Sequence, residues 1–319
     1  MKAAMKLLVI GHLCIDVAHP RSGVHESQVE PPPGDGALPV GECWGGIANA
    51  IATLGSLAAK GDVVIPVCGA GRDDLEAFRS WLAQFPAVDP GAVFSLDLPT
   101  NRMHVYEQDG GTRVACTRDI SPPIPYERIR KVLAVDGIVI NMVSGADITI
   151  ETLDNIRMDI RGKSVAVHLD YHHLTTGINE KNERFRRPLP DWRRWAFMNT
   201  SVQCNESEIA GLALERLTEE QTAGHFLTLG VKGVVVTRGA KGVTLYTSEH
   251  KKVIRHDVAG LPVQTDSDVT GLGDVFGAAF LRSFAAGTEL AGSAVYANGI
   301  AAQAATLPRA KRAGYFQFQ

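Results

Sequence analysis

Short apolar runs rich in β-branched residues alternate with helix-spaced segments along most of this chain, and that alternation limits its fold more than any other feature. Residues 6–10, 63–67, 138–142, 164–169, 196–198 and 234–237 read as buried strands bounded by Gly, Asp or Asn. Between them, residues 47–57, 74–85, 149–160 and 219–229 carry apolar residues at helical spacing. Parallel neighbours need long crossovers, so the expected fold is α/β, a mainly parallel central sheet with helices on both faces. Ligands of such open sheets bind beyond the carboxyl ends of the strands. From residue 243 the pattern turns antiparallel, with short strands at 243–247 and 252–256 around Ser248-Glu-His250. Ala-rich helices are expected at 274–286 and 290–305.

Two stretches break the alternation. Residues 17–43 contain Pro31-Pro-Pro-Gly-Asp-Gly36 and little periodicity, and residues 93–121 read as two strands joined at Asp109-Gly-Gly111, a hairpin signal. No repeat or linker divides the 319 residues, so one domain over 1–319 is expected. A net charge of −3 gives no global attraction for nucleic acid or an anionic membrane. The basic run at Arg184, Arg186, Arg187, Arg193 and Arg194, beside Trp192 and Trp195, reads as a solvated face with arginine stems over apolar surface. Five scattered cysteines without a CxxC pair argue against a disulfide framework or structural zinc. Leu7-Leu-Val-Ile10 is too short for a signal-peptide core and no run approaches a membrane span, so a soluble cytoplasmic protein is expected.

Chemistry concentrates in a few motifs. In Asp268-Val-Thr-Gly-Leu-Gly-Asp274, the glycines allow a tight turn that aims N–H groups at an anion, and the helix that follows adds its own. A carboxylate at such a site repels phosphate, and taking a proton from an attacking hydroxyl would explain Asp274 there; its local reading is an N-cap. Asp16 follows the first strand, and Gly45-Gly46-Ile-Ala-Asn49 opens a helix. These suit a bound polyol, or simply a turn and a helix start. Asn205 and Glu208 have the spacing of a capping box and also the chemistry to hold the water shell of Mg2+. Thr237-Arg-Gly239-Ala-Lys-Gly242 is a loop for a nucleotide or a plain Gly-rich turn. If the strand at 164–169 ran on to residue 171, His168, Asp170 and His172 would share a face, a spacing suited in principle to a transition metal. Hydrogen-bonded polar groups are the commoner state of strand-end His and Asp, and Asp170 is also placed for substrate contact. Gly11 is not followed by GxGxxG, which argues against a dinucleotide-dependent dehydrogenase.

Taken in order, these motifs resemble those of the ribokinase/PfkB carbohydrate-kinase family. Asp268, Thr270, Gly271, Gly273 and Asp274 match its signature Asp-Thr-x-Gly-Ala-Gly-Asp, with Val269 for the usual Thr and Leu272 for the usual Ala. Gly11, Asp16 and Gly45-Gly46-x-x-Asn49 match its N-terminal pattern, and the elements at Asn205 and Thr237 match two more. The resemblance implies a ribokinase-like fold with a small β lid drawn from 17–43 and 93–121. It implies ATP-dependent transfer of phosphoryl to an alcohol, with Asp274 as base and backbone N–H groups of Gly271, Leu272 and Gly273 as anion hole. By the same carry-over, Asp16, Gly46 and Asn49 hold the substrate, with Asp170 beside them. Asn205, Thr237, Gly239, Gly242, Gly271 and Gly273 contact ATP, and Asn205 and Glu208 hold Mg2+ through water. Asp268 with neighbouring carbonyls is implied as a seat for a monovalent cation such as K+, and the lid as the face of a homodimer. Ile47 stands where ribokinase and phosphofructokinase members carry Lys, so an unphosphorylated sugar, polyol or nucleoside is expected. The alternatives are a sugar-phosphate kinase using Arg102, Arg113 or Arg118 of the lid, and a non-catalytic sensor on the same fold.

Overall fold

The computed structural model describes residues 4–19, 42–107, 113–263 and 269–307. The chain begins with β1 (Lys6–Ile10), β2 (Leu13–His19), β3 (Glu42–Gly46), α1 (Ile47–Leu57), β4 (Val63–Val67), β5 (Gly69–Gly71), α2 (Arg72–Leu82) and β6 (Phe94–Leu96). It continues through β7 (Asn101–Glu107), β8 (Arg113–Arg118), α3 (Tyr126–Ile129), β9 (Gly137–Asn141), α4 (Ile150–Ile160), β10 (Ala166–Asp170), β11 (Thr176–Ile178), β12 (Arg184–Arg186) and α5 (Trp192–Ala196). The last part holds β13 (Ser201–Asn205), α6 (Glu206–Ala210), α7 (Glu219–Thr228), β14 (Gly233–Thr237), β15 (Gly242–Glu249), β16 (Lys252–Ala259), α8 (Leu272–Ala285) and α9 (Leu290–Ala305).

An eight-stranded sheet in the order β16-β15-β14-β13-β10-β9-β1-β4 forms the centre. The strands from β14 to β4 are parallel, and β15 and β16 add an antiparallel edge. Both faces are covered, which is why the parallel strands read as continuous apolar runs. Leu8 and Ile10 pack with Ile156 of α4 and Phe226 of α7 on one side. Leu7 and Val9 pack with Ile51 and Leu54 of α1 and Ala278 of α8 on the other. Among the described residues, no helix is long and apolar enough to cross a membrane.

The two stretches that interrupt the alternation contribute to a separate four-stranded sheet, ordered β3-β2-β7-β8. Its strands begin earlier and end later than 17–43 suggests, at Leu13 and Gly46. β7 and β8 pair antiparallel, as expected of a hairpin, while its turn at Asp109-Gly-Gly111 lies outside the described residues. β3 passes into α1 without an intervening residue, and Gly46 at the junction has φ 58°. A side chain there would meet the His12 carbonyl at 2.7 Å, so only glycine fits.

One expected strand is misplaced. Residues 196–198 are the end of α5 and an exposed turn, with Met198 at φ 58°; the strand is β13, Ser201–Asn205. Its sequence Ser-Val-Gln-Cys-Asn alternates because Val202 and Cys204 enter the core while Ser201 and Gln203 make polar contacts beneath the cleft. The strand expected at 164–169 does not run on to residue 171, so His168, Asp170 and His172 do not share a face. β10 stops at Asp170, and His172 turns at φ 35° into a short 3-10 helix. His168 is fully buried against Ser201, Gln203 and Phe280. Among the described residues, no group of three His, Cys, Asp or Glu could hold a metal.

Candidate active site

At the carboxyl ends of the parallel strands lies a cleft of about 330 Å³. Most of the residues singled out by sequence meet there: Asp16, Gly46, Asn49 and Asp170, then Asn205, Glu208 and Thr237, then Gly271, Gly273 and Asp274. Gly239, Gly242 and Leu272 do not line it. They line a second, more apolar cavity of about 350 Å³ with Val243, Val269 and Phe276, and Thr237 and Gly273 border both. Leu272 thus turns its side chain toward the second cavity, where it packs on the α8–α9 core. Asp268 lies outside the described residues.

Asp274 sits in the first turn of α8, nearly buried. Its Oδ2 accepts from Asn49 Nδ2 at 3.0 Å and its Oδ1 from Asn141 Nδ2 at 2.6 Å. Two amides from opposite sides therefore fix the plane of this carboxylate. Gly271, at φ 81°, precedes it, and a Cβ there would lie 2.4 Å from Asn49 Nδ2. The glycine thus makes room for the amide as well as for a turn. An asparagine amide carries both donors and an acceptor. The Asn49 amide N–H groups go to Asp274 and to the Gly46 carbonyl, which leaves its Oδ1 for a ligand. In the proposed anion hole, Leu272 N–H donates to the Val269 carbonyl at 3.3 Å, whereas Gly271 and Gly273 N–H have no intramolecular acceptor among the described residues.

Asp16 enters from β2 and lies directly over Gly45, where a Cβ would come within 1.7 Å of its Oδ2. Asp170, at the end of β10, accepts from Gln203 Nε2 at 2.9 Å and from His172 N at 3.2 Å. Burial first, and then the nearby Glu208 and Asp274 carboxylates, push it well above the usual carboxylate range. Asn205 caps α6 in a full capping box with Glu208. Glu208 is raised too, by burial, against hydrogen bonds from Asn205 and Arg186 that lower it. Its oxygens accept from Asn205 N and Nδ2 and from Arg186 Nη2. With its oxygens so engaged, Glu208 fits contact to Mg2+ through water and does not fit direct ligation.

Four neighbours of the cleft carry no motif in the sequence. Asn141 ends β9, inside the apolar run 138–142 that the sequence marks only as a strand. Gln203 bridges Asp170 to the Gly273 carbonyl, which it meets at 3.0 Å. Arg184 and Arg186 do not lie on the solvated face that the basic run suggests. The pairing of β12 with β11, and the bridge from Glu183 to Cys116 of β8, turn them inward instead. Arg184 donates to Thr117, Thr176 and the Ser144 carbonyl, and Arg186 to Thr175 and Glu208. Arg193 does lie over the Trp192 ring, and Arg194 pairs with Asp154.

The family model described as pfkB family carbohydrate kinase matches residues 183–312, the part that carries Asn205, Glu208, Thr237 and Asp274. No curated protein matches the chain by sequence. Solved structures show that its fold is ribokinase-like. Thermotoga maritima ribokinase is 20% identical, with a TM-score of 0.70 over 98% of this chain and 99% of that one. Arabidopsis thaliana ribokinase, solved with ribose and ATP, is 19% identical, with a TM-score of 0.67 over 99% of this chain and 100% of that chain. A pyrophosphate-dependent kinase of the ribokinase family, solved with a pyrophosphate analogue and myo-inositol, is 15% identical, with a TM-score of 0.72 over 95% and 96% of the two chains.

Proposed function

We propose that this kinase transfers the γ-phosphoryl of ATP to an alcohol of a small unphosphorylated sugar, polyol or nucleoside, with Asp274 as general base. The observation that carries the reading is the Asp274 carboxylate, clamped by Asn49 and Asn141 at the first turn of α8, where the two cavities adjoin. The acceptor lies in the polar cleft against Asp16, Gly46, Asn49 and Asp170. Its hydroxyl oxygen attacks the γ-phosphorus, its proton passes to Asp274, and the bond to the β-phosphate oxygen breaks to release ADP. The N–H groups of Gly271 and Gly273 stabilise charge on the transferred group. Mg2+, when bound with the phosphates, supplies charge neutralisation, and Asn205 and Glu208 orient its waters. The four-stranded sheet serves as a lid that excludes water from the cleft.

ATP is favoured over pyrophosphate as donor because the second cavity is apolar and suits a nucleobase, which pyrophosphate lacks. A neutral acceptor is favoured because no Lys or Arg lines the acceptor cleft among the described residues. Arg102 is spent on Glu42, and it pairs in register with Arg118 on the sheet face opposite Met103 and Val105. A monovalent-cation seat at Asp268 and a homodimer through the lid belong to the same reading. The test is Asp274→Asn, assayed on neutral sugars and nucleosides, each beside its phosphate. Turnover should fall by about 10²-fold or more with nucleotide affinity retained, a general base being worth roughly 10²–10⁴. Turnover within about tenfold of the parent would refute the base assignment.

A further inference from the structure

The cleft is rich in hydrogen-bond acceptors and poor in donors. Asp16, Asp170, Glu208 and Asp274 accept, and the amides of Asn49, Gln203 and Asn205 already donate within the protein. A hydroxyl held by a carboxylate gives away its proton, and its oxygen then needs a donor of its own. Among the described residues, one imidazole at the acceptor end has a donor that no contact within the protein uses. His172 lines the cleft, and neither nitrogen of its ring meets a protein partner among the described residues.

Its position is firmly built. Tyr171 N–H donates to the Gln203 carbonyl, His173 N–H to the Met142 carbonyl, and Thr175 Oγ1 to the His172 carbonyl. His172 N–H donates to Asp170. The His173 ring, tied through Nδ1 to the Val143 carbonyl, lies 4.0 Å from the His172 ring. These contacts hold His172 at φ 35°, a left-handed backbone that costs energy in any residue but glycine, and such strain collects at functional sites. Burial, and then the Arg184 guanidinium, push its imidazole down to about 4, so at neutral pH it carries one donor and one acceptor.

We propose that His172 selects the acceptor, donating from its imidazole to a hydroxyl oxygen that a cleft carboxylate holds by its proton. The inference rests on the kinase reading above and assigns a group that none of the family-like motifs includes. The best neutral acceptor of the parent enzyme and its monodeoxy analogues form the test set. His172→Gly relieves the backbone and deletes the donor, so acceptor KM should rise about tenfold or more while KM for ATP stays within about twofold. His172→Asn, which tolerates the left-handed backbone and keeps an N–H donor, should recover most of the loss and guards against a folding defect in the glycine variant. One monodeoxy analogue should be a poor substrate for the parent, yet lose nothing further in His172→Gly. An acceptor KM unchanged in His172→Gly, or equal discrimination among the analogues by both enzymes, would overturn the proposal while leaving the kinase reading intact. A parent that phosphorylates no alcohol would refute both.

Discussion

Replacing Asn141 by alanine should disable catalysis while sparing the fold. Asn141 Nδ2 donates to Asp274 Oδ1 at 2.6 Å, with Asn141 at 1% and Asp274 at 9% exposure. A hydrogen bond to a charged group is worth about 1.5–3 kcal/mol. If the full amount orients the carboxylate in the transition state, its loss lowers kcat by roughly 10- to 150-fold at about 1.4 kcal/mol per decade. Stability should move little. Asn141 Oδ1 is buried without a partner among the described residues, and removing such an acceptor relieves about 1–3 kcal/mol that offsets the lost packing and hydrogen bond. Asn141→Asp is nearly isosteric yet sets a second carboxylate against Asp274, so it should be the less active of the two. ADP release would be followed at saturating ATP and acceptor, alongside the calorimetric melting midpoint. A kcat of the alanine variant within about threefold of the parent, or an aspartate variant more active than the alanine one, would refute the argument.

Glu208→Gln should raise the Mg2+ concentration that half-saturates the rate, with only a small change in melting midpoint, since Gln also serves the third position of a capping box. An unchanged half-saturation would leave Glu208 only its capping role. Stability should also fall in acid through His168, fully buried and pushed by burial from 6.5 to about 4. The unfolded chain binds that proton first, so stability is complete above pH 6.5 and declines by about 3 kcal/mol toward pH 4, at roughly 1.4 kcal/mol per unit. His168→Gln should remove that share of the slope, and urea titrations that show an equal slope in both proteins would contradict it.

Much of this architecture could be read from the chain. Strands buried on both faces have no polar residue to confuse their pattern, so β1, β4 and β14 and the helices α1 and α9 stand where the periodicity puts them. β13 failed for the opposite reason: Ser201 and Gln203 serve the polar network under the cleft, and their alternation hides a central strand. The glycine-marked residues that meet in the cleft were legible as a group because close approaches demand glycine, as at Gly45 over Asp16. Asn141 and Arg186 were not, because their meaning lies in partners 133 and 22 residues away. Local spacing carries no trace of such pairs.

The seam between β3 and α1 has mechanical consequences. With no connecting residue, any tilt of β3 that keeps it paired to β2 reaches α1 through the backbone of Gly46. The far arm of that lever is the first turn of α1, and it ends in the Asn49 amide, 3.0 Å from Asp274. Hydrogen bonds weaken steeply once distance and angle drift. Tilt of β3 therefore bears on the aim of the carboxylate through one glycine and one turn of helix.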